Sequence, residues 1–334
     1  MLTSLSRTLR FSLRAGAAVL ALGALIAAPG SAEAGKVRVA FGDIASVETL
    51  HLLAAFELAK ERGVDIEVTY LKSEDIAAQA VVSGQADVGV GGPYALIQKV
   101  KVPVRIFLQL STLRFYPVVN AEFYKSWKDL NGQEVAVHSR GSGTEAIMRL
   151  MEQKQGIKFA KISYIPGSEV RAGALLQGNV KASIVDSNGR RLLQEKAPGK
   201  FIVLPLEGVK ATDEALFATQ EFLQKSSGDI DIIVESVLSV WRAVAANPGA
   251  IVELRAKYKL LPDLPASQVA DIQPYFKEQA SSFPLNGGGV AAARDDFAFY
   301  SLSGQLQGDA ANLKVEEFWD MSALDRVLGK IGTN

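Results

Sequence analysis

The sequence predicts an α/β protein with two similar lobes and a cleft between them. A strand signal at Lys36–Phe41 begins a series of alternating helices and strands, and Glu134–Ser139 begins the same series about a hundred residues later. The register sets Gly84–Val90 (GQADVGV) beside Gly178–Val185 (GNVKASIV). Alternating strands and helices indicate parallel sheets covered by helices. We therefore expect two doubly wound lobes, which also suits a chain longer than one core usually supports.

Residues 1–34 have the pattern of a signal peptide. An apolar run at Ala15–Ala28 is short for a membrane span, and Ala32-Glu33-Ala34 offers a cleavage site. The basic residues that precede the run are Arg7, Arg10 and Arg14. The pattern predicts export to the periplasm with cleavage near Ala34, and a retained N-terminal membrane anchor is the alternative.

The composition excludes several classes of protein. The sequence has no Cys among 334 residues, which excludes disulfides, thiolate metal sites, a nucleophilic Cys and a lipid-modified Cys. Lys and Arg total 36 and Asp and Glu total 36, and removal of the leader leaves about two net negative charges. This balance argues against a nucleic-acid partner. We expect a soluble monomer.

Five successive sequence patterns predict the helices and strands of the first lobe. Apolar residues recur at helical spacing through Ser46–Glu61, and a strand is predicted at Val64–Leu71. A helix ending at Gly84 and a strand at Ala86–Val90 follow. The nearly continuous apolar run Val102–Leu110 is typical of a strand covered on both faces.

The second lobe is predicted between two crossings of the chain. We expect the first crossing near Pro117–Tyr124, after an extended connector at Tyr116–Asn120, and the return at Ala215–Thr219. Between them we expect a helix at Glu145–Gln155 and strands at Lys161–Ile165, Lys181–Val185 and Phe201–Pro205. The predicted domains are residues 35–118 and 217–334 for lobe one and residues 119–216 for lobe two. Two crossings make a two-stranded hinge, and a helical C-terminal tail follows.

A helix start rich in Ser and Gly is the strongest candidate for a binding site. The segment Ser139–Ala146 (SRGSGTEA) follows a strand and begins a helix, so its backbone N–H groups and hydroxyls suit an anion. An ordinary N-cap at this place is compatible with that role. The spacing of Gly141, Gly143 and Ala146 also fits a dinucleotide fingerprint, but the acidic residue expected about 20 positions later is missing.

Loops at the same edge of each sheet are further candidates. They are Gly42–Ser46, Gly91–Tyr94 and Asp186–Gly189, each at the carboxyl end of a predicted strand. Ordinary strand-to-helix turns are the alternative for each. Arg114 lies beside the first crossing, where a guanidinium suits a carboxylate or sulfonate, and a solvated arginine is the alternative.

The sequence contains no recognisable catalytic or cofactor motif. It lacks G-x-S-x-G, H-E-x-x-H and a P-loop, and its two histidines, His51 and His138, have no metal-type spacing. We expect no enzyme activity, no cofactor and no metal site.

Several of these segments together resemble a known family. Ser83–Pro93 (SGQADVGVGGP) and Trp127–Val137 (WKDLNGQEVAV), with the leader, the Ser/Gly-rich helix start and the helical tail, resemble the periplasmic solute-binding proteins of ABC importers for nitrate, sulfonates and taurine. The resemblance covers nearly all of the mature chain. It implies a bilobal periplasmic-binding-protein fold, type II-like, whose interlobe cleft captures a small, anionic organic solute and delivers it to an inner-membrane permease.

The resemblance and the loop pattern together give a set of expected ligand-binding residues. They are Asp43, Ala45, Ser46, Gly91, Gly92, Pro93, Arg114, Ser139, Ser142, Gly143, Thr144, Asp186 and Asn188. Two other functions stay open: an enzyme on the same bilobal frame, of the pyrimidine-synthesis type, and a ligand-sensing receptor for a membrane signalling protein.

Overall fold

Ten strands form two five-stranded sheets in the computed structural model, which describes residues 35–100 and 102–333. The predicted signal peptide, residues 1–34, lies outside the described residues. The α/β fold class and the two similar halves are confirmed.

The first sheet has the strand order β2-β1-β3-β10-β4. Strand β1 pairs in parallel with β2 and β3, whereas β10 runs antiparallel to β3 and β4. The strands are β1 Val37–Phe41, β2 Ile66–Tyr70, β3 Val88–Gly91, β4 Val104–Gln109 and β10 Ala215–Thr219. Gly89 permits the close approach of β10, because a Cβ atom there would lie 2.2 Å from the ring of Phe217.

The second sheet repeats this arrangement with the strand order β7-β6-β8-β5-β9. Strand β6 is parallel to β7 and β8, and β5 is antiparallel to β8 and β9. The strands are β5 Tyr116–Asn120, β6 Glu134–Val137, β7 Lys161–Tyr164, β8 Ala182–Val185 and β9 Phe201–Val203. The repeated order explains the sequence echo.

The chain crosses between the sheets at two segments, residues 110–115 and 211–214, which are hydrogen-bonded to each other. The N–H of Leu110 donates to the carbonyl of Glu214 at 2.8 Å, and the N–H of Asp213 donates to the carbonyl of Ser111 at 2.9 Å. Thr112 and Thr212 form an antiparallel bridge between these bonds. The predicted two-stranded hinge is therefore present. The position of the hinge differs from the prediction. The segments that were expected to cross between the lobes are instead strands within the sheets, β5 and β10.

Thirteen α-helices occur in the described residues, and those after β10 form the predicted helical C-terminal region. They are α1 Leu50–Glu61, α2 Glu74–Val82, α3 Tyr94–Lys99, α4 Gly143–Gln155, α5 Ser168–Leu176, α6 Ser187–Lys196, α7 Gln220–Lys225, α8 Ser227–Ala246, α9 Ala250–Tyr258, α10 Ala266–Gln279, α11 Gly289–Leu302, α12 Val315–Phe318 and α13 Ser322–Ile331. Short 3-10 helices lie at Trp127–Leu130, Ala280–Ser282 and Ala310–Asn312. None of the helices in residues 35–100 and 102–333 is long and apolar enough to cross a membrane.

The C-terminal helices pack mainly on the first sheet. Trp241 of α8 and Phe276 of α10 are fully buried and belong to the same apolar cluster as Val39 and Phe41 of β1. Leu193 of α6 instead packs with Val118 of β5 in the second sheet. Helices α10 and α6 therefore belong to different halves, although they contact each other.

Candidate functional site

Two small adjoining cavities lie at the hinge and are lined by residues from both halves. One, which we call the aromatic cavity, has a volume of about 40 Å³ and walls that include His51, Tyr275, Phe276 and Phe283. The other, the polar cavity, has a volume of about 20 Å³ and walls that include Asp43, Glu74, His138, Thr144 and Arg171. These volumes hold roughly one to three water molecules. A solute of more than a few atoms therefore enters only when the halves move apart.

Four residues line both cavities and form their shared wall: Glu48, Phe115, Asp213 and Glu214. Asp213 and Glu214 lie on the second hinge segment, and Phe115 lies at the end of the first. Glu48 precedes α1 at the carboxyl end of β1. The hinge itself thus carries most of the shared wall.

Carboxyl groups dominate the walls of the two cavities. Burial raises the pKa of Asp43 to about 6 and that of Asp213 to about 7. Burial, reinforced by neighbouring carboxylates, also raises the pKa of Glu48, Glu74 and Glu214 well above the ordinary value. A carboxylate cluster of this kind is stabilised by a cation that enters it.

Three of the lining carboxyl groups are held by the protein's own donors. Glu74 Oε2 accepts the N–H of Gly92 at 2.5 Å. Asp186 Oδ1 accepts the N–H of Gly189 at 2.8 Å and so caps α6. Asp43 Oδ1 accepts the N–H of Ile44 at 2.7 Å. In the part of the chain that the structure describes, the carboxyl groups of Glu48 and Glu214 have no side-chain hydrogen bond, and that of Asp213 has one from Ser111, so these three groups keep oxygens available to a solute.

The Gly91-Gly92 pair is needed to seat Glu74. Gly91 has φ of 148°, and a Cβ atom there would lie 2.9 Å from the Cβ of Glu74. The glycines of this loop therefore support a lining carboxyl group and are not themselves walls of either cavity.

Two basic groups of the polar cavity are buried in different protonation states. Burial lowers the pKa of His138 to about 3. Its Nδ1 accepts the N–H of Gly167 at 3.3 Å, and its Nε2 lies 3.1 Å from the carbonyl of Gly42. Both bonds are made by a neutral ring with its proton on Nε2, and the second joins the two halves. Arg171 is 1% exposed, and its Nε and Nη1 donate to the carbonyls of Ile184 and Ile165.

A comparison with family models places the chain among known proteins. The model described as "NMT1/THI5 like" matches residues 59–251, more than half of the chain. This protein belongs to the NMT1/THI5-like family. The match runs from α1 to the start of α9 and so includes the hinge and the whole second sheet. No curated protein matches the sequence significantly.

Solved structures share the fold of this NMT1/THI5-like protein. A protein of Bordetella bronchiseptica is 19% identical with a TM-score of 0.73, covering 89% of this chain and 98% of that one. The periplasmic nitrate-binding protein NrtA of Synechocystis is 12% identical with a TM-score of 0.68, covering 90% of each chain. A putative periplasmic sulfonate-binding protein SsuA of Methylobacillus flagellatus is 20% identical with a TM-score of 0.58, covering 90% and 96%. Periplasmic-binding-protein folds are thus the structural relatives of this chain.

The structure distributes the predicted ligand-binding residues over walls and supports. Those that line a cavity are Asp43, Arg114, Ser142, Thr144 and Asp186. Those that line neither are Ala45, Ser46, Gly91, Gly92, Pro93, Ser139, Gly143 and Asn188. Arg114 faces the aromatic cavity, but its Nη1 already donates to the carbonyl of Glu278 at 2.8 Å and to Ser281 Oγ at 2.9 Å.

Some of the donors at the start of α4, where the sequence predicts an anion site, are used within the NMT1/THI5-like chain. Ser142 Oγ accepts the N–H of Glu145 at 3.3 Å and donates to the carbonyl of Ser139 at 2.8 Å. Glu145 Oε2 accepts the N–H of Gly141 at 2.7 Å. These contacts are those of an ordinary N-cap, and Ser142 and Thr144 also line the polar cavity.

Several lining residues were not among the sequence candidates. They are Glu48, Glu74, His138, Arg171, Asp213, Glu214, Tyr275 and Gln279. Asp213 and Glu214 directly precede the predicted return strand, and this position is the one sequence feature that points to them. Glu48 and His138 lie in the turns that follow strands β1 and β6. The remaining four lie on helices, and the sequence does not show which side of each helix faces the cavities.

Proposed function

We propose that this NMT1/THI5-like protein is the solute-binding component of an ABC importer, and that its solute carries a positive charge. The observation that carries the proposal is the convergence of six carboxyl side chains on two adjoining cavities between the halves. They are Asp43, Glu48, Glu74, Asp186, Asp213 and Glu214. Two guanidinium groups, Arg114 and Arg171, line the same cavities, so carboxyl groups outnumber guanidinium groups on the walls.

Binding would use the hinge. A cation between the halves contacts carboxyl groups of both halves only when they are close together. It therefore binds the closed arrangement more tightly than the open one and shifts the protein toward closure. The aromatic rings of Phe115 and Tyr275 add a surface that suits an ammonium or amidinium group. Export to the periplasm, closure of the two halves about the hinge segments 110–115 and 211–214, and delivery to an inner-membrane permease complete the proposal. The fold relatives NrtA and SsuA, whose names refer to periplasmic nitrate and sulfonate binding, support this general role.

A thermal-shift panel tests the charge of the solute. Amines, amidines and quaternary ammonium compounds are compared with nitrate, aliphatic sulfonates and carboxylates of similar size. A ligand at about 100 times its Kd stabilises the folded protein by about 2.7 kcal/mol, which is a shift of several degrees. Shifts confined to anions would refute the cationic class.

Paired variants test the location of the site. Asp213→Asn and Glu214→Gln should each weaken the binding of a cationic hit about tenfold or more. Glu253→Gln, on the exposed face of α9, is the matched control and should leave the Kd unchanged. Equal affinities in all four proteins would refute the site. Mass spectrometry of the recovered hit should find it chemically unaltered, and conversion to a product would favour the enzyme alternative.

A further inference from the structure

The two cavities differ in character on either side of their shared wall. The aromatic cavity presents the rings of Tyr275, Phe276 and Phe283, which are 3%, 0% and 7% exposed. The polar cavity presents Thr144 and Arg171 in the corresponding place. The carboxyl groups of Glu48, Asp213 and Glu214 lie on the wall that both share. A solute held at that wall by its cation therefore meets an apolar surface on one side and hydrogen-bond donors on the other.

Arg171 is the donor best placed to bind a solute in the polar cavity. It is the one cationic side chain on the walls of this cavity in the described chain. Its Nε donates to the carbonyl of Ile184 at 2.7 Å and its Nη1 to that of Ile165 at 3.0 Å, which fixes the plane of the guanidinium. Within the described residues it makes no ion pair and Nη2 donates no hydrogen bond. Because Arg171 lines the cavity, its Nη2 is the donor left for a solute, and guanidinium donors are normally satisfied.

The neighbours of Arg171 determine what kind of acceptor it takes. Asp43 and Glu74 line the same cavity, and in their ionised forms they would repel a carboxylate or sulfonate of the solute. His138 offers no free donor, because its Nδ1 accepts from Gly167 and its Nε2 faces the carbonyl of Gly42. An uncharged oxygen, such as an amide or ketone carbonyl, accepts from Arg171 without that repulsion.

We infer that the preferred solute is a cation with an aromatic or apolar body in the aromatic cavity and an uncharged oxygen acceptor that binds Arg171. This inference rests on the proposed function, since it specifies the solute of the same site. Arg171 is then the residue that selects among cations.

Titration calorimetry with three amines of one scaffold tests the inference on the mature protein. The probes are benzylamine, N-benzyl-β-alaninamide and N-benzyl-β-alanine, and in the latter two the ammonium group lies between the ring and the oxygen acceptor. The amide should bind about tenfold tighter than benzylamine, because it adds one charge-assisted hydrogen bond. The acid, N-benzyl-β-alanine, should bind more weakly than benzylamine.

A variant then tests the part that Arg171 plays. Arg171→Lys should reduce the tenfold preference for the amide over benzylamine to about twofold, since an ammonium cannot keep both carbonyl bonds and also reach the solute. Arg149→Lys, at a partly exposed position of α4, is the control and should keep the preference.

Each result decides between the two proposals. Equal binding of benzylamine and the amide by the wild-type protein, or tighter binding of the acid, would overturn the inference and leave the cationic class intact. A preference that Arg171→Lys leaves unchanged would also overturn it. If none of the three amines binds, the proposed cationic class fails as well. The wild-type comparison decides by itself if Arg171→Lys does not fold.

Discussion

The carboxylate of Glu278 lies 3.7 Å from Nη2 of Arg190 and so joins helix α10 to helix α6, which pack on different sheets. Arg191 of α6 approaches the same carboxylate at 3.8 Å, and the hydroxyl of Tyr116 donates to it at 3.3 Å. The guanidinium of Arg190 also lies over the Tyr116 ring, 4.3 Å from its centroid. Next to Glu278, Gln279 Nε2 donates to Ser187 Oγ at 3.1 Å. These contacts form a clasp between the halves beside the aromatic cavity.

Glu278→Gln should therefore loosen the closed arrangement. Ion pairs that are partly exposed contribute about 0.2–1 kcal/mol each. We therefore expect the Kd of a cationic ligand to rise two- to fivefold, and most of this rise should come from faster dissociation. Stopped-flow fluorescence measures the rate. Glu253→Gln is the control. A dissociation rate that Glu278→Gln leaves unchanged at low ionic strength, where such pairs are strongest, would show that the clasp does not hold the halves together.

A second network fixes the hinge to the C-terminal helices. Asp296 of α11 is fully buried, and its two oxygens accept from the N–H of Thr212 and from the hydroxyl of Thr212, each at 2.6 Å. The hydroxyl of Tyr94 donates to the same carboxylate. Burial raises the pKa of Asp296 to about 6, so the ionised form that accepts all three donors is the main form at neutral pH.

Asp296→Asn should destabilise the fold by about 2–3 kcal/mol, because the new amide group faces hydroxyl donors that need an acceptor. Chemical denaturation followed by circular dichroism measures the free energy of unfolding. Asp295→Asn is the matched control one residue away, since Asp295 pairs with the exposed Lys210, and it should cost under about 1 kcal/mol. Similar losses in the two variants would contradict a special role for the hinge contact.

The sequence was sufficient to predict most elements but not the chemistry of the walls. Apolar periodicity located β1, α4 and α8, because each signal is local. Tyr116–Asn120 was expected to be a connector, since its status as β5 depends on pairing with β8 and β9, which lie far away in the chain. Asp213 and Glu214 have the character of ordinary loop carboxylates in the sequence. Their convergence with Glu48 is produced by the hinge, and no local pattern encodes it.

Asp213→Asn should make the stability of the unliganded protein less dependent on pH. The folded-state pKa of Asp213 is raised to about 7 by burial, against about 3.9 in an unfolded chain. The stability that this group contributes is therefore present below pH 3.9 and is lost as pH rises through 7. The Tm of the wild type should fall between pH 5 and pH 8, and Asp213→Asn should recover a few degrees at pH 8 but little at pH 5.

Asp263→Asn, at an exposed position, is the control for this series and should follow the wild type at both pH values. A Tm of Asp213→Asn that tracks the wild type from pH 5 to pH 8 would mean that the carboxyl group ionises at its ordinary pKa. The experiment also separates stability from binding, because the same variant is expected to bind a cation more weakly.

Binding of a cation should tighten as pH rises from 5 to 8. The charged groups that line the two cavities with Asp213 are the carboxyl groups of Asp43, Glu48, Glu74, Asp186 and Glu214 and the guanidinium groups of Arg114 and Arg171. The two histidines stay neutral in this range, because burial lowers the pKa of His51 and of His138 to about 3. Carboxyl groups with a raised pKa are partly protonated at pH 5 and attract a cation only once ionised, so the affinity should rise about tenfold or more.

Calorimetry in two buffers of different ionisation enthalpy measures the linked protons directly. Benzylamine, whose ammonium group stays protonated through pH 8, should release about one proton on binding near pH 6.5, and the apparent enthalpy should differ between the buffers. Asp213→Asn should reduce both the proton release and the slope of affinity against pH. An affinity that is constant from pH 5 to pH 8, with equal enthalpies in both buffers, would mean that the carboxyl cluster is already ionised before the cation arrives. In that case the cation would not be what relieves the repulsion among these buried charges.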